Sequence, residues 1–291
     1  MLLFETLGHR GLFNWMPDER YLKVLYYIRM GKKIDLKEPK TFSEKLQWIK
    51  LYDRNPLYTQ LVDKYKVRNY VEKRIGKQYL IPLIGGPWEC FDEIDFSKLP
   101  DKFVLKCTHD SGGLIICKDK SKLDLRIARR KIERCLKHCF YDGQREWPYK
   151  NVKPRIIAEE YKEDSKDEEL RDYKFFSFDG EPKALFIATE RGDDNSETKF
   201  DFFDMDYNHL PFTNGHPNAK EMPRKPECFD EMKVLASKLS QKFPEVRVDF
   251  YEVDGRVFFG EMTFFHWSGL MPFNPEKWDT IFGQWIKLPK D

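Results

Sequence analysis

Arg247-Val-Asp-Phe-Tyr-Glu-Val-Asp-Gly-Arg-Val-Phe-Phe-Gly-Glu-Met-Thr263 is the stretch on which the fold reading turns. Two runs rich in aromatic and β-branched residues flank Asp254-Gly255, a pattern that predicts two strands joined by a hairpin turn. Side chains alternate faces along a strand. Arg247, Asp249 and Tyr251 therefore share one face of the first strand, and Phe259, Glu261 and Thr263 share one face of the second. The turn decides whether those faces coincide. A tight two-residue turn would set Asp249 and Glu261 on opposite faces. A type I turn with Gly255 as a left-handed bulge residue shifts the pairing by one and brings both carboxylates to the same side. The second geometry is the one expected here. Two neighbouring carboxylates repel unless a cation lies between them, and hard oxygen donors beside phosphates suit Mg²⁺. An ordinary surface hairpin with scattered charges remains the competing reading of these residues taken alone.

Composition bounds the answer further. A chain of 291 residues can hold one large domain or two moderate ones. Charged residues make up 34% and hydrophobic residues 41%, as expected of a soluble globular protein. The net charge of +2 does not signal a nucleic-acid partner. An acid follows only three apolar residues at the start, Leu2-Leu3-Phe4 included, and no apolar run is long enough to span a membrane. The expected location is cytoplasmic. The six cysteines form no CxxC pair. Cys135, His138 and Cys139 fall within one helical turn but lack a fourth ligand at suitable spacing, so reduced thiols are expected.

Working outward, residues 1–76 read as helical. Pro17 to Gly31 bounds one helix, Thr41-Phe-Ser-Glu44 is a capping box opening a second, and a third is expected from about Asp63 to Ile75. Lys64 and Lys66 near the start of that third helix stand where cations are mildly unfavourable, which invites a ligand as explanation. Phe103-Val-Leu-Lys106-Cys reads as a strand, and an unpaired lysine inside an apolar strand is costly. Thr108-His-Asp-Ser-Gly-Gly113 and the strand Leu114–Cys117 follow directly. A strand lysine followed by a glycine-rich hairpin is an arrangement that can cover phosphates. A helix from Leu125 to about Cys139 should place Ile127, Ile132 and Leu136 inward, with its basic residues solvated. Arg155–Tyr161 reads as a strand ending in acids, and Glu163–Glu169 as an acidic loop. Asp172–Phe178, Asp179-Gly180 and Lys183–Thr189 form a second hairpin. Phe200–Phe203 is a further strand ending at Asp204-Met-Asp206, and a helix spans Phe229 to about Lys242.

In this order, the residues resemble the ATP-grasp superfamily, and within it the TupA-like branch linked to teichuronopeptide and surface-polysaccharide biosynthesis. The stretches that carry the resemblance are Lys40–Lys50, Asp63-Lys64, Phe103–Gly113, Ile157–Tyr161, Arg171–Phe178 and Phe258–Gly269. The implied fold is α+β, with two antiparallel α+β subdomains clasping ATP and a helical N-terminal extension. The corresponding divisions are 1–76, a subdomain at 77–160 with the glycine-rich loop, and a subdomain at 161–291 with the metal site and C-terminal helix.

The resemblance implies an ATP set of Lys64, Lys106, Asp110, Ser111, Gly112, Gly113, Glu159, Glu160, Tyr161, Lys162, Asp172 and Lys199. It implies Asp249, Glu261 and Thr263 as Mg²⁺ ligands. Arg247, together with Lys106, would stabilise the reacting phosphate oxygens. The implied activity is that of an ATP-dependent carboxylate–amine ligase acting through an acyl-phosphate. Its expected substrate is a small molecule or polysaccharide precursor carrying a uronic acid or glutamate, with peripheral association with envelope or capsule machinery and no integral membrane segment. Two departures from the family pattern stand out. Thr263 stands where an asparagine is usual, and His266-Trp267 stand where Pro-Gly often follows, so these two are expected to shape the acceptor site. Alternatives are a glycosyltransferase of surface-polysaccharide assembly using Asp204-Met-Asp206, a kinase of a sugar intermediate on the same scaffold, and a non-catalytic nucleotide-binding module.

Overall fold

The computed structural model describes residues 3–110, 112–165, 170–190 and 197–289. Ser111 and residues 166–169 of the expected acidic loop lie outside them. The chain divides into two compact units, one made of residues 1–55 with 163–291 and the other of residues 56–162. The breaks therefore fall after Asn55 and Lys162, and the N-terminal helices pack with the C-terminal segment instead of forming a region that ends at residue 76.

The first unit begins with α1 (Leu3–His9), α2 (Asp18–Met30) and α3 (Phe42–Tyr52). Pro17 precedes α2, and Gly31 ends it at φ 69°, a left-handed cap that glycine adopts without a Cβ penalty. Both halves of the Thr41–Glu44 capping box are present, a device whose loss costs about 1 kcal/mol.

The second unit contains α4 (Leu57–Val62), α5 (Val67–Arg74), β1 (Leu83–Trp88), β2 (Phe103–Cys107), β3 (Leu114–Cys117), α6 (Leu125–Leu136), α7 (Phe140–Gln144), α8 (Trp147–Lys150) and β4 (Ile156–Glu160). The third helix expected from about Asp63 to Ile75 is α5, which starts only at Val67, and a separate short helix, α4, precedes Asp63. Asp63 separates them, because its buried carboxylate accepts from the backbone N–H of Tyr65 at 2.9 Å and of Lys66 at 3.2 Å. A side chain that satisfies local N–H groups this way offers the backbone an alternative to the helix. The four strands are ordered β1-β4-β2-β3, all antiparallel. One face carries Phe103, Leu105, Cys107, Ile156 and Ala158 against Ala128, Ile132 and Cys135 of α6. These helix positions follow an i, i+4, i+7 spacing. Ile127, expected inward, is instead 62% exposed.

The first unit resumes with β5 (Asp172–Phe178), β6 (Glu181–Thr189), β7 (Lys199–Phe203), β8 (His209–Leu210), β9 (Thr213–Asn214), α9 (Phe229–Ser240), β10 (Val246–Val253), β11 (Arg256–Thr263), β12 (Phe273–Asn274) and α10 (Lys277–Trp285). Its main sheet runs β11-β10-β5-β6-β7-β8. One face packs on α9 through contacts such as Phe175 with Phe229. On the other, Phe176 meets Phe42 of α3 and Phe282 of α10 edge-on.

Candidate functional site

The β10–β11 hairpin has the turn that sequence reasoning rejected. Val253 pairs with Arg256, leaving Asp254 (φ 49°) and Gly255 (φ 72°) as a tight two-residue loop. Both residues are left-handed, the geometry that suits the twist of the flanking strands. The register shift lies elsewhere. Phe250 pairs with Phe259, but Val248 pairs with Met262 and Arg247 with Thr263. Asp249 therefore faces both Gly260 and Glu261 across a bulge. The extra residue restores what the tight turn alone would have undone, so Arg247, Asp249, Glu261 and Thr263 share one face. Gly260 fits closely there, since a Cβ would stand 3.1 Å from the Asp249 carbonyl oxygen and 3.3 Å from the Tyr251 ring.

Arg247 organises that face. Its Nε donates to Asp249 Oδ1 and its Nη2 to Asp249 Oδ2, both at 2.7 Å. The same Nη2 reaches Thr263 Oγ1 at 3.0 Å and Glu261 Oε1 at 3.3 Å. Three oxygens from the three expected metal ligands thus surround one cationic nitrogen. Burial alone would depress the guanidinium pKa, but Asp249 and Glu261 raise it. Lys174, on β5 directly opposite Asp249, adds a second cation at 2.5 Å from Asp249 Oδ2 and 3.4 Å from Asp172 Oδ2.

The remaining Arg247 nitrogen fixes a histidine. Asn214 donates from Nδ2 to the carbonyls of Met271 at 3.0 Å and Pro272 at 3.2 Å, so its Oδ1 is the acceptor facing His266 Nε2 at 3.0 Å. His266 Nε2 therefore carries the proton, and Nδ1 accepts from Arg247 Nη1 at 2.9 Å. Burial, then Arg247 and Lys174, push the His266 pKa well below its ordinary value, so the ring is neutral. The following turn is left-handed at Trp267 (φ 47°), Ser268 (φ 56°) and Gly269 (φ 62°). Such backbone is costly for non-glycine residues and survives only where the surroundings enforce it. Here the fully buried Lys50 of α3 donates to the Ser268 carbonyl at 2.7 Å and its hydroxyl at 2.6 Å, and Gln47 donates to the carbonyls of Ser268 at 2.9 Å and Gly269 at 3.0 Å. His266 is thus buried as a support for Arg247, whereas Trp267 is 39% exposed.

In the second unit, Lys106 is paired. Its ammonium lies 2.6 Å from Glu159 Oε2, and Arg68 holds Glu159 Oε1 at 2.9 Å. The register puts Val104, Lys106, Leu114, Ile116, Ile157 and Glu159 on the sheet face opposite α6. Leu114 and Ile116 are exposed there, so a charged pair adjoins an open apolar strip. Lys64 stands in the turn after Asp63, not on a helix, and its backbone N–H donates to the Thr108 carbonyl at 2.9 Å. In the glycine-rich loop, Gly113 is forced by packing, since a Cβ would lie 2.4 Å from the sulfurs of both Cys107 and Cys135. Asp110 is turned toward α6, where it accepts from the Gly112 N–H at 3.2 Å and the Cys135 thiol at 3.3 Å.

The structure thus gathers Arg247, Asp249, Glu261 and Thr263, and separately Lys106 with Glu159. Glu160 pairs with Lys162 at 3.0 Å, and Tyr161 lies under the Lys102 ammonium. Strand alternation sets Lys199 on the face opposite Asp249, with Glu197 3.6 Å away. Sequence reasoning misses Lys174, Arg68 and the His266–Asn214 pair. Only Lys174 leaves a signal, as a lysine inside an apolar strand. Asp204 spends its carboxylate on its own turn, accepting from the N–H groups of Asp206 at 2.9 Å and Asn208 at 2.8 Å. No cluster of three or more His, Cys, Asp or Glu residues suited to a metal occurs among the described residues.

The TupA-like ATPgrasp family model matches residues 44–287, and the chain belongs to that family. Its fold is therefore the α+β ATP-grasp fold. No curated protein matches the chain. Among solved structures it is similar to a D-alanine–D-alanine ligase from Helicobacter pylori (12% identity, 86% of this chain and 70% of that one, TM-score 0.45). It is also similar to an L-amino acid ligase from Bacillus licheniformis (12%, 88% and 55%, 0.46). A third is a D-alanine–D-alanine ligase from Bacillus anthracis complexed with ATP (14%, 70% and 53%, 0.40). The chain spans little more than half the length of two of these three.

Proposed function

We propose that this protein is an ATP-dependent carboxylate–amine ligase using Mg-ATP. The carrying observation is the convergence of Asp249, Glu261 and Thr263 oxygens on Arg247 Nη2. Those oxygens are hard donors of the kind Mg²⁺ takes, and two carboxylates with one hydroxyl leave coordination positions for phosphate oxygens and water. Asp249, Glu261 and Thr263 would hold a divalent cation, which would supply charge neutralisation for phosphate oxygens, and Arg247 would add a further cationic contact to them.

Lys106, held by Glu159, would meet the nucleotide phosphates beside Gly112 and Gly113, and the strip of Val104, Leu114 and Ile116 offers an apolar surface to a planar base. Lys64, Asp110, Ser111, Glu160, Tyr161, Lys162 and Asp172 complete the proposed nucleotide set. Lys199 is kept only as a member of the family pattern, because its strand face does not favour it. Bound Mg-ATP supplies the γ-phosphoryl group that converts a carboxylate into an acyl-phosphate, from which an amine displaces phosphate to form the amide. The chain's own contribution is cationic stabilisation and positioning.

The proposed substrate is a uronic acid or glutamate carboxylate of a surface polysaccharide or its precursor. The exposed indole of Trp267, beside His216, is a surface on which a sugar ring can pack. The glycosyltransferase alternative loses support because Asp204 is already committed to its turn. The test is ADP release measured over paired acids and amines. The expected result is turnover only when both partners are present. Release with a single acceptor would show a kinase and overturn the ligase reading.

A further inference from the structure

On the α6 side of the second unit, a cleft of about 590 Å³ is lined by Asp110, Gly112, Lys131, Arg134, Lys137 and His138, with Cys135 at its base. The size suits a small molecule. Its position is separate from the Lys106 face, because α6 covers the opposite side of the sheet.

The cleft carries a surplus of positive charge. Arg129, on the same helix, is matched by Asp92 and by Glu133 at 3.2 Å. Lys131, Arg134 and Lys137 have no ion-pair partner among the described residues. The single acid of the lining, Asp110, is already engaged by Gly112 and Cys135, with His138 Nδ1 at 3.5 Å. That contact raises the His138 pKa. A helix dipole favours a cation or two in the last turn. Three unmatched cations around one concavity make a site of positive potential, which concentrates anions.

We propose that this cleft binds a small multivalent oxyanion, a ligand carrying a phosphate or clustered carboxylates, through α6 cations that the proposed nucleotide set does not include. Arg134 supplies a planar fork for paired oxygens, and Lys131 and Lys137 supply point charges on either side.

The experiment is calorimetric titration of the whole chain, without Mg²⁺, using pyrophosphate, citrate and glucose, repeated on Lys131→Ala, Arg134→Ala and Lys106→Ala. Saturable binding of pyrophosphate, citrate or both is expected, weakening as salt is raised, with none of glucose. Pyrophosphate alone identifies a phosphate-bearing ligand, and citrate alone a polycarboxylate. Lys131→Ala and Arg134→Ala should each weaken binding about tenfold, a charge-assisted contact's worth, and Lys106→Ala should leave it unchanged. The altered side chains are exposed, so unchanged melting temperatures confirm folding. No saturable binding below about 10 mM would overturn the proposal. Loss of binding in Lys106→Ala with retention in the two α6 variants would overturn it as well. Because Lys106 serves only the nucleotide face, failure of the ligase reading would leave this result intact.

Discussion

A single guanidinium connects most of what is chemically distinctive in the first unit. Arg247 satisfies Asp249 with two parallel hydrogen bonds, touches Glu261 and Thr263, and rests on a neutral histidine. Removing one member of a buried charged set typically costs about 3–5 kcal/mol, because the partners are left uncompensated. His266 gives this arrangement a pH signature. An imidazole in the unfolded chain takes a proton below about pH 6.5, whereas in the fold burial, Arg247 and Lys174 keep the ring neutral to much lower pH. The unfolded state then binds more protons, so the contribution is complete above about pH 6.5 and is lost as pH falls below it toward the folded pKa, at up to about 1.4 kcal/mol per pH unit. Urea unfolding from pH 8 to 5 should show that loss in the wild type, and His266→Asn should remove it. An unchanged pH dependence in the variant would show that His266 is already charged in the fold.

At the scale of elements, the deciding feature is one extra residue in β11. The Asp254-Gly255 turn and the bulge at Gly260 have separable effects. Gly255→Ala strains a left-handed position, at about 1 kcal/mol, but leaves the pairing of Arg247 with Thr263 alone. Gly260→Val drives a side chain into the Asp249 carbonyl and the Tyr251 ring. A loss of roughly 1–3 kcal/mol is expected from such overpacking. Both variants should be less stable to urea, and only Gly260→Val should weaken Mg-ATP binding. Equal Mg-ATP affinity in the two would mean that the bulge does not serve the carboxylates. The left-handed turn at 267–269 follows the same logic: α3 supplies Lys50 and Gln47 from more than two hundred residues away in the chain, and nothing local to Trp267 foretells it.

For the molecule as a whole, the two units each bury their own core. The family assignment over residues 44–287 spans both. A ligand that binds only the folded chain stabilises it by mass action, about 2.7 kcal/mol at a hundred times its dissociation constant. In a thermal melt each kcal/mol is worth about 2–4 °C for domains of this size. Mg-ATP should therefore raise the melting temperature by several degrees. Lys106→Ala or Glu261→Gln should abolish the rise, and Arg134→Ala should not. No shift in the wild type would count against the nucleotide reading itself. Among the described residues no helix is long and apolar enough to cross a membrane.

Local chemistry makes much of this legible from the amino acids alone. Asp-Gly pairs announce both hairpins, Thr41 and Glu44 announce a cap, and Lys106 inside an apolar strand announces a buried partner. These signals are readable because turns, caps and alternation depend on residues a few positions apart. For the face shared by Asp249 and Glu261, the local reading reaches the right arrangement by the wrong route, since the shift comes from Gly260 and not from Gly255. Only the tertiary structure could decide that, because a bulge is fixed by what both strands pack against. The same holds for Glu159 as the partner of Lys106, for Arg68 and Lys174, and for the histidine beneath Arg247. Each depends on which distant side chains a closed register brings within about 3 Å, the reach of a hydrogen bond, and neither periodicity nor spacing along the chain encodes that distance.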